Sequence, residues 1–171
     1  MISHTMRIFR HTILIGLSVF IIATLVSCVD NDPKPPSIDP TSIPFDEQRA
    51  FSDLVYLCDE IGARRIGTKG SKRTQEWITS TMNGLSGWTS SIDSFVAVTP
   101  KNSRRRGEIE GANVFAKRQG AKPGEIWICS HYDTFDKPGF VGANDGGAST
   151  VVLLELARQL QGEQPLNGMS I

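Results

Sequence analysis

The chain has 171 residues, with 18 basic and 18 acidic side chains and 39% hydrophobic residues. That balance excludes binding to nucleic acid through bulk positive charge, and it excludes a polar chain too poor in apolar residues to fold. The length allows one small domain behind any leader.

Residues 1–27 read as a targeting signal. Arg7 and Arg10 form a positive start, and Ile13 to Ser27 is an apolar run too short for a membrane span of about 20 residues. Leu25-Val26-Ser27-Cys28 resembles a bacterial lipobox, which implies a lipidated Cys28 and an exported, membrane-anchored lipoprotein, periplasmic or at the cell surface. Residues 28–44 carry Pro33, Pro35, Pro36 and Pro40 among polar residues and read as a disordered, Pro-rich tether. Without the leader, 16 basic residues face 18 acidic ones, and of the three His only His131 remains.

The domain is expected over residues 45–171. Phe51, Leu54, Val55, Cys58 and Ile61 recur at helical spacing, which predicts a helix from Phe45 to Ile61 with Gly62 as its stop. Gly62 to Gly70 reads as a loop, and Ser71 as the cap of a second helix reaching about Leu85. Strands are expected over Ile92–Val98 and Asn113–Lys117, with a turn at Gln119–Gly124. The basic cluster Lys101, Arg104, Arg105, Arg106 between them reads as a solvated loop. Glu125 to Ser130 is expected as a buried strand. Ser149 to Leu160 is apolar at nearly every position, which predicts a helix packed on several sides. Gly168-Met169-Ser170-Ile171 reads as the start of a further strand. Cys58 and Cys129 read either as core residues or, in an exported protein, as a disulfide. The order of elements points to an α/β sandwich around a central sheet.

Ser130-His131-Tyr132-Asp133-Thr134 and Gly142-Ala143-Asn144-Asp145-Gly146-Gly147-Ala148 carry the chemistry. Residues two apart on an extended chain share a face, so Asp133 can orient the His131 ring and leave its other nitrogen for a metal. His131 alone reads first as a hydrogen-bonded strand end, and Asp145 alone as a residue complementing a helix dipole; the combination of segments is what points to a site. Glu155, on the following helix, is assigned a solvated or interhelical contact, and Glu163 lies further along.

Together with Val152-Leu153-Leu154-Glu155-Leu156-Ala157-Arg158, these segments resemble the zinc aminopeptidase and glutaminyl cyclase superfamily, metallopeptidase family 28. Gly62-Ala63-Arg64-Arg65-Ile66-Gly67-Thr68-Lys69-Gly70-Ser71 is similar to its loop between the first two helices, and Asn113-Val114-Phe115-Ala116 to the strand before the metal strand. The resemblance implies a three-layer sandwich with a central mixed sheet, the phosphorylase/hydrolase-like zinc exopeptidase fold. It also implies a peptide substrate and zinc. In the peptidase branch there are two ions: His131 binds one, Asp145 bridges both, and Asp133 is the catalytic-site residue that orients His131. In the cyclase branch a single zinc is held by Asp145, and His131 need not bind it. The family's Glu-Glu pair, a further acidic ligand and a late His lie downstream and have no counterpart here. The chain therefore reads as an amino-terminal part, truncated at the C-terminus and inactive alone. Aminopeptidase-like hydrolysis is the first reading. Glutaminyl-peptide cyclisation and a non-catalytic, lipid-anchored binding protein on the same scaffold are the alternatives.

Overall fold

The computed structural model describes residues 44–99, 105–162, 165 and 167–171. The expected signal 1–27, lipidation at Cys28, the tether up to residue 43, and Lys101, Arg104 and Glu163 all lie outside the described residues. Helix α1 spans Glu47–Val55 and begins where the Asp46 carboxylate accepts the Arg49 N–H at 2.9 Å. It runs on as a wider π-helical turn, Tyr56–Ile61, and stops at Gly62, whose φ is +76°. Helix α2 spans Lys69–Asn83. Its cap is Thr68, which accepts the Ser71 N–H at 3.3 Å. Ser71, expected as the cap, is instead buried within the first turn, because Thr68 already holds the extended backbone a cap needs.

Strands β1 (Trp88–Val98) and β2 (Glu108–Arg118) form an antiparallel hairpin pairing Trp88 with Arg118 and Val98 with Glu108. Both are longer than their apolar runs predict, since the ladder extends through polar residues once the hairpin is made. Strand β3 covers Lys122–Trp127, taking in Pro123 and Gly124, which were expected to turn. A register irregularity between Lys122 and Glu125 accommodates them. It ends three residues short of Ser130, and Ile126 and Trp127 are more than half exposed, so the expected buried strand is neither as long nor as buried. Helix α3 spans Ala148–Gln159 and strand β4 Asn167–Ser170. The sheet order is β1-β2-β4-β3, with β4 antiparallel to β2 and parallel to β3.

This is an α/β fold on a mixed sheet, as expected. Ile78 and Met82 of α2, Leu154 and Ala157 of α3, Trp88 and Ala116 form the main core, with Val114 and Met169 against it. The Trp88 indole N–H donates to the Ala157 carbonyl at 3.1 Å, so its polar edge is satisfied in the interior. A second cluster joins Leu57 and Ile61 to Val151. Phe115 and Trp127 sit edge to face, 6.1 Å apart, on the sheet face away from this core. The described residues thus supply two layers of the expected three, and Val152 of α3 stays exposed where packing on several sides was expected. Cys58 and Cys129 are free thiols, and Cys129 is exposed because β3 ends before it. Among the described residues no helix is long and apolar enough to cross a membrane.

Helix α1 is fastened to α3 by charge. Glu155, fully buried, accepts from Arg49 Nε at 2.8 Å and Nη2 at 2.6 Å, from the Asp46 N–H, and from Gln159. Arg158 binds Asp53 at 2.6 Å beside it. The contact is interhelical, as one of the two expected roles had it, but it is not solvated. The Arg49 hydrogen bonds hold the Glu155 carboxyl down at about 2, against an ordinary value of 4.5. Its stabilising effect is complete above pH 4.5 and is lost as pH falls from there towards 2. The effect is at most about 3 kcal/mol, reduced because Arg49 is partly solvated. The melting temperature should therefore fall over that window, and Glu155→Gln should flatten the fall while lowering stability at pH 7. Thermal melts of both proteins across pH 2–7 check this.

Candidate metal centre

The segment after β3 carries His131 and Asp133, and the turn before α3 carries Asp145. Although 128–133 is not assigned as a strand, its side chains alternate. The Tyr132 hydroxyl points inward, donating to the Ala112 carbonyl at 2.6 Å and accepting from Gln75 at 2.9 Å. Its neighbours His131 and Asp133 therefore project together on the other side. His131 Nδ1 lies 3.4 Å from Asp133 Oδ1, and His131 Nε2 lies 3.2 Å from Asp145 Oδ1. All three expected residues meet. Their side chains are 51–59% exposed, so an ion or substrate reaches them from solvent.

Backbone geometry brings Asp145 to His131. The turn Ala143–Gly147 is irregular, with Asp145 at φ −87°, ψ 95° and Gly146 at φ 84°. A Cβ on Gly146 would lie 2.7 Å from the His131 carbonyl oxygen and 2.9 Å from two atoms of its ring. Glycine is required there twice, for the positive φ and for the close approach. The first turn of α3 then grips the other segment. Thr150 Oγ1 donates to the Gly146 carbonyl at 2.7 Å and reaches the His131 carbonyl at 3.2 Å, and Ser130 Oγ meets Ser149 Oγ at 2.6 Å.

Arg64, from the loop between α1 and α2, sits fully buried behind the site. Its guanidinium donates to the carbonyls of Tyr132, Leu57, Gly62, Val141 and Gly142 at 2.8–3.3 Å. Burial pushes the Arg64 guanidinium below its ordinary pKa, and the neighbouring Cys58 and Asp133 act against that. Burial likewise pushes the Cys58 thiol up, against the pull of Arg64. Neighbouring Arg65 is different: it binds Asp136 at 2.5 Å, near the surface. Sequence reading separates the two poorly, and Arg64, Thr134 and Thr150 went unassigned. Arg105 donates to the Ile66 carbonyl at 2.8 Å. A cavity of about 320 Å3 lies between β2 and the Cys129–Asp133 stretch, lined among others by Phe115, Trp127, His131 and Asp133.

An imidazole nitrogen and a carboxylate oxygen are ordinary zinc donors. Bonds of about 2.0–2.2 Å at a tetrahedral angle put two donors roughly 3.4 Å apart. The 3.2 Å between His131 Nε2 and Asp145 Oδ1 fits that edge. Among the described residues no group of three or more His, Cys, Asp or Glu side chains gathers to hold an ion. The pair would offer at most two of the three protein ligands that a catalytic zinc takes.

The profile of peptidase family M28 matches residues 113–171. A glutaminyl-peptide cyclotransferase-like protein of Bos taurus is 32% identical over 114 residues, 64% of this chain and 28% of that relative. Among solved structures, the glutaminyl cyclase of Fimbriiglobus ruber superposes with a TM-score of 0.67 at 29% identity, covering 81% of this chain and 47% of that one. The glutaminyl cyclase of Porphyromonas gingivalis does so with a TM-score of 0.60 at 26% identity, covering 74% and 44%. The chain thus spans less than half the length of these relatives.

Gly146→Ala should push the His131 ring off Asp145 and destabilise the fold by about 2 kcal/mol. Gly139→Ala carries a comparable φ penalty, at φ 72°, with nothing within 4 Å of the new Cβ. It should leave the ring in place. Imidazole NMR resonances, with His131 assigned by their loss in His131→Gln, separate the two.

Proposed function

The chain belongs to peptidase family M28, and we propose that within it the chain serves a zinc-dependent glutaminyl cyclase rather than the aminopeptidase that the sequence put first. The observation that carries this is the likeness to glutaminyl cyclases over most of the chain. The His131–Asp145 contact, 3.2 Å, fits this reading as a ring that orients the Asp145 carboxylate. The substrate class is a peptide with an amino-terminal glutamine. Its α-amine attacks the side-chain amide carbonyl, the C–N bond to the amide nitrogen breaks, and ammonia leaves with the proton given up by the amine. No water is consumed, so the reaction is acyl transfer within one residue.

Zinc, when bound, would polarise that carbonyl as a Lewis acid. In this reading Asp145 would be the residue of this chain that holds the ion. His131 faces Asp145 through Nε2 and Asp133 through Nδ1. Asp133 thereby fixes the ring, and the ring fixes the Asp145 carboxylate. In the peptidase alternative His131 would be a ligand itself and Asp145 would bridge two ions. Export with lipid attachment at Cys28 belongs to the proposal as well, supported by Arg7, Arg10 and the apolar run before Cys28. Labelled palmitate incorporated by the wild type and lost in Cys28→Ser would bear it out.

The enzymatic test uses the complete product of the gene that encodes this chain, loaded with zinc. It is expected to convert a Gln-Phe peptide into its pyroglutamyl form and release one ammonia per product. Asp145→Asn should abolish this, and Asp133→Asn should lower it about tenfold. Hydrolysis of a leucine anilide without ring closure would overturn the cyclase reading in favour of the aminopeptidase.

A further inference from the structure

We infer that Arg64 is the positioning residue of the metal centre: one buried guanidinium sets the separation of the segment carrying His131 and Asp133 from the turn carrying Asp145. The inference rests on reading these side chains as metal-site residues, but its geometry stands without a metal. The Tyr132 carbonyl, bound by Arg64 Nε at 2.8 Å, lies between His131 and Asp133 in the chain. The Val141 and Gly142 carbonyls, bound at 2.8 and 3.1 Å, open the turn that ends at Asp145. The Gly142 carbonyl also accepts the Gly147 N–H at 3.0 Å, closing that turn around Asp145. The main chain of Arg64 adds a third tie, for its N–H donates to Thr134 Oγ1 at 2.9 Å and its carbonyl accepts the Thr134 N–H. Gly142 is held tightly enough that a Cβ there would lie 2.9 Å from Thr134 Cγ2 and 3.3 Å from Arg64 Nη2.

Only Arg suits this place. Its planar fork carries N–H donors in fixed directions on three nitrogens: Nε addresses the Tyr132 carbonyl, Nη1 shares its two N–H groups among those of Leu57, Gly62 and Val141, and Nη2 addresses that of Gly142, on three segments. Lys keeps the charge but offers three donors from one point, so it cannot span both segments. Among the described residues, Arg64 makes no hydrogen bond or ion pair with His131 or Asp145. It acts through the backbone on either side of them.

The test compares wild type, Arg64→Lys and Thr134→Val as full chains, with far-UV circular dichroism to establish folding. Two readouts are taken: the His131 ring resonances in metal-free protein, and zinc affinity by competition with a chromogenic chelator. Arg64→Lys should keep its helical signal, shift the His131 resonances and weaken zinc binding by about tenfold or more. Thr134→Val should move both in the same direction by less. Unchanged resonances in folded Arg64→Lys would overturn the inference. If that variant does not fold, unchanged resonances in Thr134→Val do so. Shifted resonances in Arg64→Lys together with a wild type that does not bind zinc would instead sink the metal reading and leave the positioning role standing.

Discussion

A buried positive charge with no carboxylate bonded to it is the constraint on which this structure turns. Removing a guanidinium from water costs several kcal/mol even after the protein relaxes around it. Carbonyl oxygens offset that cost at Arg64, a well-formed charge-assisted bond contributing about 1.5–3 kcal/mol, with three of the five acceptors sharing the two N–H groups of Nη1. The benefit is mutual. The Gly62 carbonyl stands at the stop of the first helical segment, where a positive charge is favoured, and the Leu57 carbonyl, which already accepts the Gly62 N–H at 3.1 Å, takes Arg64 as a second donor. One side chain therefore closes a helix and ties down two loops, and the loops are the ones that carry the functional side chains.

The site follows from this anchorage and from the electrostatics at its surface. Two carboxylates flank one imidazole, which makes a half-exposed rim attractive to a divalent cation. The scaffold beneath is rigid: Tyr132 is pinned to β2 and α2, Thr150 grips both halves from the start of α3, and the Glu155 network locks α3 to α1. Exposed side chains on a buried frame would suit a centre that must admit a substrate while holding its donors still.

The sequence made the helices, the sheet class and the His131–Asp133–Asp145 group legible, because each depends on local pattern. Helical periodicity marked α1 and α3, and glycines around Asp145 marked the tight turn. What it hid depends on tertiary context. Glu155 looked like any polar residue on an apolar helix, since its partner Arg49 lies 106 residues away. Arg64 and Arg65 were alike on paper, and only the fold sends one inward and leaves the other with Asp136. The run Ile126-Trp127-Ile128-Cys129 read as interior from composition, yet Trp127 faces outward beside Phe115, where apolar content alone gives no direction.

All of the Arg64 guanidinium's carbonyl acceptors are main-chain atoms, which every residue type supplies. The side chain at position 141 thus adds nothing to these bonds, whereas position 64 has no substitute. Sequence divergence can rebuild the walls of this centre in many ways while its spacing stays inherited from a single codon.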